Sequence, residues 1–167
     1  MAWTSGAGNP GGAVRCIGAG ATDGIDQCTR EGGEVTKTVS TVGYHDIIVA
    51  YDLRVSSLGG DYTGIGSGNC HPDHQLIDEQ ITVSCSTNGG ATWTEIENLT
   101  RATLLGYLSY GRRTINLTAV AAANENAGFA LKFRWQVNTA TDLCDLDNIT
   151  VAGFSSIPVD TTPPGPV

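Results

Sequence analysis

Three carboxylates stand within six residues near the end of the chain: Asp142, Asp145 and Asp147. Grouped carboxylates suit calcium, which takes six to eight oxygen ligands at about 2.3–2.6 Å. The spacing is not that of an EF-hand, and the plainer alternative is a solvated acidic loop held by Asx turns. A second cluster, Cys70-His71-Pro72-Asp73-His74, offers zinc-type donors without a clear fourth ligand, so a surface loop is the better reading. A third group is Tyr62, Tyr107, Tyr110, Arg112 and Arg113, which lie outside the clear strand cores. Rings that stack on sugars, beside guanidiniums that hold hydroxyls, would make a glycan surface. The tyrosines could equally cap a fold.

Catalytic patterns are weak. Gly64-Ile65-Gly66-Ser67-Gly68 misses the nucleophile-elbow spacing by one position, and no strand leads from it into a helix. No phosphate-binding glycine loop opens a helix. Carboxylate pairs for glycoside hydrolysis can be nominated, but nothing in the sequence sets two of them across a cleft. The expectation is a non-catalytic binding module, with a hydrolase ranked last.

The elements that must position these groups are strands. In residues 128–153, Phe129, Leu131, Phe133, Trp135 and Val137 alternate with Lys132, Arg134 and Gln136, a period of two with one buried face. The acidic loop follows, and Asn148-Ile149-Thr150-Val151 returns as a strand. Residues 46–56 repeat the alternation through Ile47, Val49, Tyr51, Leu53 and Val55. Shorter strands are expected at 13–17, 34–41, 80–86, 91–96 and 114–120, with Asn88-Gly89 as a hairpin turn. Trp93 is placed in the core. Residues 97–113 read as irregular. The architecture is an all-β, antiparallel β-sandwich of the jelly-roll type.

Totals agree with that class. The chain has 167 residues, 40% hydrophobic and only 16% charged, with 22 glycines and a formal charge of -8. Low charge with many glycines suits short strands and tight turns in one domain. The acidic balance excludes nucleic acid and anionic membrane surfaces as partners. No 18-residue apolar run exists to insert into a membrane. Residues 1–12 read as a flexible N-terminal segment, 13–155 as the sandwich module, and 156–167 as a Pro-rich linker to a neighbouring domain of the same chain.

There are five cysteines. Cys16 with Cys28 would tie a long polar loop to a strand, and Cys70 could pair with Cys144 if their loops share one end of the sandwich. Connectivity stays open from sequence. Cys85 reads as an unpaired, buried thiol. The cysteines, the Pro-rich tail and three Asn-x-Thr sequons at Asn98, Asn116 and Asn148 point to a secreted or cell-surface setting.

Four stretches occur in a telling order: Tyr51-Asp52-Leu53-Arg54, residues 78–93 with their Ser-x-x-Gly-Gly-x-x-Trp hairpin, Leu131-Lys132-Phe133-Arg134-Trp135-Gln136, and Asp145-Leu146-Asp147-Asn148-Ile149-Thr150-Val151. Over residues 35–153 this resembles the jelly-roll units of reelin-type repeats and the related MAM-like and bacterial adhesive or polysaccharide-binding sandwiches. No growth-factor-like cysteine cluster accompanies it. The resemblance implies a structural calcium fastening the first loops to the last strand, with Asp61 and Glu34 joining Asp142, Asp145 and Asp147. It also implies a glycan or an extracellular protein as partner, carbohydrate first, with protein adhesion or a spacer role as the alternative.

Overall fold

A computed structural model describes residues 2–8, 11–17, 31–58, 79–136 and 143–155. Nine strands are described: β1 Ala2–Gly8, β2 Gly11–Ile17, β3 Glu31–Thr38, β4 Tyr44–Ser57, β5 Gln80–Ser86, β6 Thr94–Thr100, β7 Gly111–Asn116, β8 Ala130–Gln136 and β9 Leu143–Ser155. They form two sheets, ordered β1-β2-β9-β4-β7 and β3-β8-β5-β6. Every pairing is antiparallel. This is the antiparallel sandwich read from the alternating segments. No described helix is long and apolar enough to cross a membrane.

The alternation decides which face meets which. Ile47, Val49, Tyr51, Leu53 and Val55 of β4 are each 1% exposed or less, as are Trp135 of β8 and Leu146 of β9. With Ile81, Val83, Leu131 and Phe133 they form one core between the two sheets. Tyr51 meets Phe133 edge-on across the sandwich, with ring centroids 5.0 Å apart at 80°. A side chain buried this fully is worth roughly 1.5–3 kcal/mol of transfer free energy, so the strands hold together mainly through this layer.

Four local expectations change. Residues 2–8, read as part of a flexible segment, pair with β2 as an outer strand; small side chains there leave no alternation to read. The acidic segment is not a loop beyond residue 142, since β9 runs unbroken from Leu143 to Ser155. Cys144 and Leu146 point inward and Asp145 and Asp147 stand on the other face, an alternation that the carboxylates obscured. The segment read as irregular contains most of β6, a short helix Arg101–Leu104, a single turn Leu105–Tyr107 and the start of β7. In the hairpin between β5 and β6, Gly89 and Gly90 carry the positive φ values, 72° and 95°, rather than Asn88. Asn88 instead accepts the Thr92 N–H on Oδ1 at 2.9 Å, and Ser86 Oγ accepts the Gly90 N–H at 2.8 Å.

Trp93 is also not a core residue. It is half-buried on the outer face of the four-stranded sheet. There the Lys132 ammonium stands 4.4 Å from its ring centroid. Cys85 is buried and unpaired as expected.

Candidate ligand face

The outer face of the five-stranded sheet carries a continuous row of charged and polar side chains. Register puts Arg15 of β2 opposite Asp145 of β9, Asp145 opposite Arg54 of β4, and Asp52 of β4 opposite both Asp147 of β9 and Arg112 of β7. All lie on the face opposite the core residues, because they alternate with Cys16, Leu53, Leu146 and Arg113.

At one end, Asp145 is wholly buried and taken up by two guanidiniums. Arg15 donates from Nε to Oδ1 at 2.6 Å and from Nη2 to Oδ2 at 2.9 Å. Arg54 donates from Nη2 and Nε to Oδ2 at 2.6 and 3.1 Å. Burial alone would raise this carboxyl. The hydrogen bonds from Arg15 and Arg54 outweigh it and hold the group below its ordinary 3.8. Tyr110 packs here, with the Arg54 guanidinium 4.8 Å from its ring centroid. Burial raises its hydroxyl, and the nearby Asp145 charge adds to that.

At the other end the face is open. β9 bulges opposite β4, where the register shifts between Ala50 and Asp52, and Asn148 adopts φ 47°. The bulge re-aims the Asn148 side chain, whose Nδ2 donates to Asp52 Oδ2 at 2.7 Å. Arg112 donates from Nη1 to Asp52 Oδ1 at 3.1 Å and to the Asn148 carbonyl at 2.9 Å, and from Nη2 to Thr150 Oγ1 at 3.1 Å. The hydrogen bond from Asn148, then that from Arg112, lowers the Asp52 carboxyl against the effect of burial. The Arg112 side chain is 44% exposed, and Asn148 and Thr150 are exposed. The result is a pre-set array of donors and acceptors, with the Tyr110 ring farther along the same face.

The set expected to bind ligand divides. Tyr110 and Arg112 belong to this face. Tyr62 lies outside the described residues. Arg113 turns to the other side of β7, into a polar seam between the sheets. It donates to Glu97 and, at 2.9 Å from Nη1, to the Tyr107 hydroxyl. Tyr51 donates its hydroxyl to the same Glu97 carboxylate. Burial first, and then the bond to Glu97, pushes the Tyr51 hydroxyl well above its ordinary range. Gly111 makes room for this seam: a Cβ there would sit 2.8 Å from Tyr107 Cε1.

The calcium set also divides. Asp142 and Asp61 lie outside the described residues, and Glu34 stands on β3 in the opposite sheet. Asp145 is held by Arg15 and Arg54, and Asp147 Oδ1 accepts the Asn148 N–H at 2.7 Å. Among the described residues, no three His, Cys, Asp or Glu side chains come together in a group that could hold a metal ion. Cys16 and Cys144, expected to bridge to Cys28 and Cys70, stand as free, buried thiols at partner positions of the β2–β9 pairing. Cys28 and Cys70 lie outside the described residues.

Sequence reasoning missed Asp52, Arg54, Asn148 and Thr150 as members of one face. The signal available was their placement on outward positions of strands that register brings side by side.

The sequence matches no protein-family model and no curated protein. Among solved structures, the chain is similar to CBM28, a carbohydrate-binding module specific for non-crystalline cellulose. The TM-score is 0.51 and the identity 11%, covering 92% of this chain and 81% of that one. It is also similar to TmCBM61, solved in complex with β-1,4-galactotriose, with a TM-score of 0.44 and 12% identity, covering 86% and 71%. The likeness to CBM28 is one of fold; neither structure is a reelin-type or MAM-like unit.

Proposed function

We propose that the chain is an extracellular carbohydrate-binding module that recognises a polysaccharide along the outer face of its five-stranded sheet. The observation that carries this reading is the open array of Asp52, Arg112, Asn148 and Thr150 on the same sheet face as the Tyr110 ring. Sugar hydroxyls need paired donors and acceptors fixed in advance, and a ring face offers apolar contact to the C–H side of a pyranose. Groups already held by one another lose little side-chain entropy on binding. The sandwich architecture is one that a cellulose-specific module also uses.

The test is affinity electrophoresis through gels containing soluble β-1,4-glucan, β-1,4-galactan, xylan or mannan. Retardation by at least one polysaccharide, abolished by Arg112→Ala, is the expected result. Free migration in all four would overturn the reading.

A second reading, docking to a protein or to a neighbouring domain, is favoured by one observation. Val42, Tyr44 and Phe154 are 55%, 47% and 64% exposed. They gather where β4 begins and β9 ends, since Tyr44 pairs with Ser155 and His45 with Phe154. Such a patch suits a partner's apolar surface.

A further inference from the structure

We propose that Cys16 and Cys144 close a disulfide across the β2–β9 rung and staple the N-terminal hairpin to the sheet. This inference stands apart from the glycan reading and from the bridges expected from sequence spacing.

The two cysteines are direct partners in the antiparallel register. Both are completely buried on the inner face. The Cys16 thiol is near enough to help raise the Cys144 thiol, as the shared register and burial require. Directly opposed residues in such a ladder have Cβ atoms about 4.5–5.5 Å apart. A disulfide needs about 3.5–4.5 Å, so closure asks for a shift on the order of 1 Å.

The place is one where a staple has an effect. Four rungs, from Val14↔Leu146 to Ile17↔Leu143, pair the β1–β2 hairpin with the rest of its sheet. The adjacent rung is Arg15↔Asp145, whose side chains meet on the outer face. A bond between Cys16 and Cys144 therefore pins the hairpin from inside, one residue away from the ion pair that caps it outside.

The chemistry is thiol–disulfide exchange with a small-molecule disulfide. One cysteine thiolate attacks the reagent's S–S bond, forms a mixed disulfide and releases one reagent thiolate. The second cysteine thiolate displaces the other. Two S–H bonds and one S–S bond are lost, the new protein S–S bond forms, and the two protons and two electrons leave on two reagent thiols. Burial pushes the Cys144 thiol well up, so the docked Cys144 is a poor nucleophile. Closure thus belongs to folding, before the hairpin is seated.

The test is to refold the reduced, unfolded chain in a mixture of reduced and oxidised glutathione, alkylate the remaining thiols and map the peptides without reduction. The expected product links the Cys16 peptide to the Cys144 peptide and is lighter by two hydrogen atoms. A link from Cys16 to Cys28 or from Cys144 to Cys70, or alkylation of both Cys16 and Cys144, would overturn the proposal. Reductant should lower the melting temperature of the oxidised chain by roughly 10 °C, as expected for so long a closed loop. The Cys16→Ser/Cys144→Ser double variant should lose that response; if it keeps it, another pair is the staple and the proposal fails. Should the double variant not fold, the peptide map of the unsubstituted chain decides alone.

Discussion

Arg54 stands directly opposite Asp145 in the β4–β9 ladder and donates to it from Nη2 at 2.6 Å. Arg15 clamps the same carboxylate from β2, so one buried charge joins three strands. Removing the charge leaves two guanidiniums aimed at a neutral group. Asp145→Asn should cost about 3 kcal/mol in equilibrium urea unfolding, the scale on which a broken buried pair is felt. Arg15→Ala alone should cost less, because Arg54 remains. Equal unfolding midpoints for Asp145→Asn and the parent would show that the clamp contributes nothing.

The same carboxylates set an acid limit. Asp52 and Asp145 both hold their charge more tightly in the folded chain than their ordinary value of 3.8. The stability they contribute is complete above that value and is lost as pH falls through the lower folded values. Urea midpoints should therefore fall below about pH 4, and the fall should be shallower in Asp145→Asn. A midpoint that stays level down to pH 2 would contradict this account.

Between the sheets, Tyr51 and Arg113 converge on Glu97. Tyr51→Phe keeps the ring against Phe133 and removes one hydrogen bond, so a loss of about 1 kcal/mol is expected. Glu97→Ala strips the partner from both donors and should cost about 3 kcal/mol or more. The order of the two losses is the check, read from chemical denaturation of each variant.

Trp135 and Trp93 differ in how far their places can be read from sequence. Trp135 sits in the strongest alternation and is 1% exposed; Trp135→Ala should cost about 3–5 kcal/mol. Trp93 has comparable neighbours in sequence yet packs outside the core on Lys132. Trp93→Ala should cost about 1 kcal/mol, the scale of an exposed cation–π contact. Calorimetric melting of the two variants separates the placements.

The same contrast explains what the sequence could and could not tell. β4, β5 and β8 were legible because each repeats large apolar residues at every second position. β9 was half-read: Leu146 and Cys144 alternate, but three carboxylates in six residues resemble a metal loop more than a strand. The partners of Asp145 were not legible at all. Arg15 and Arg54 lie 130 and 91 residues away in the chain, and register alone brings them together. Arg112 and Arg113 adjoin in sequence, yet strand geometry sends them to opposite faces, one to the open array and one to the interior seam.

Recognition along the outer face of the five-stranded sheet is tested by comparing its two ends with the opposite sheet. Binding isotherms would be recorded with whichever soluble polysaccharide retards the parent chain, for Tyr110→Ala, Arg112→Ala and Lys132→Ala. The account predicts at least a tenfold loss for Tyr110→Ala and Arg112→Ala, about 1.4 kcal/mol or more. It predicts an unchanged affinity for Lys132→Ala, which alters the four-stranded sheet. Unchanged binding in Tyr110→Ala and Arg112→Ala, with the loss falling on Lys132→Ala, would contradict it and move recognition to the Trp93 side.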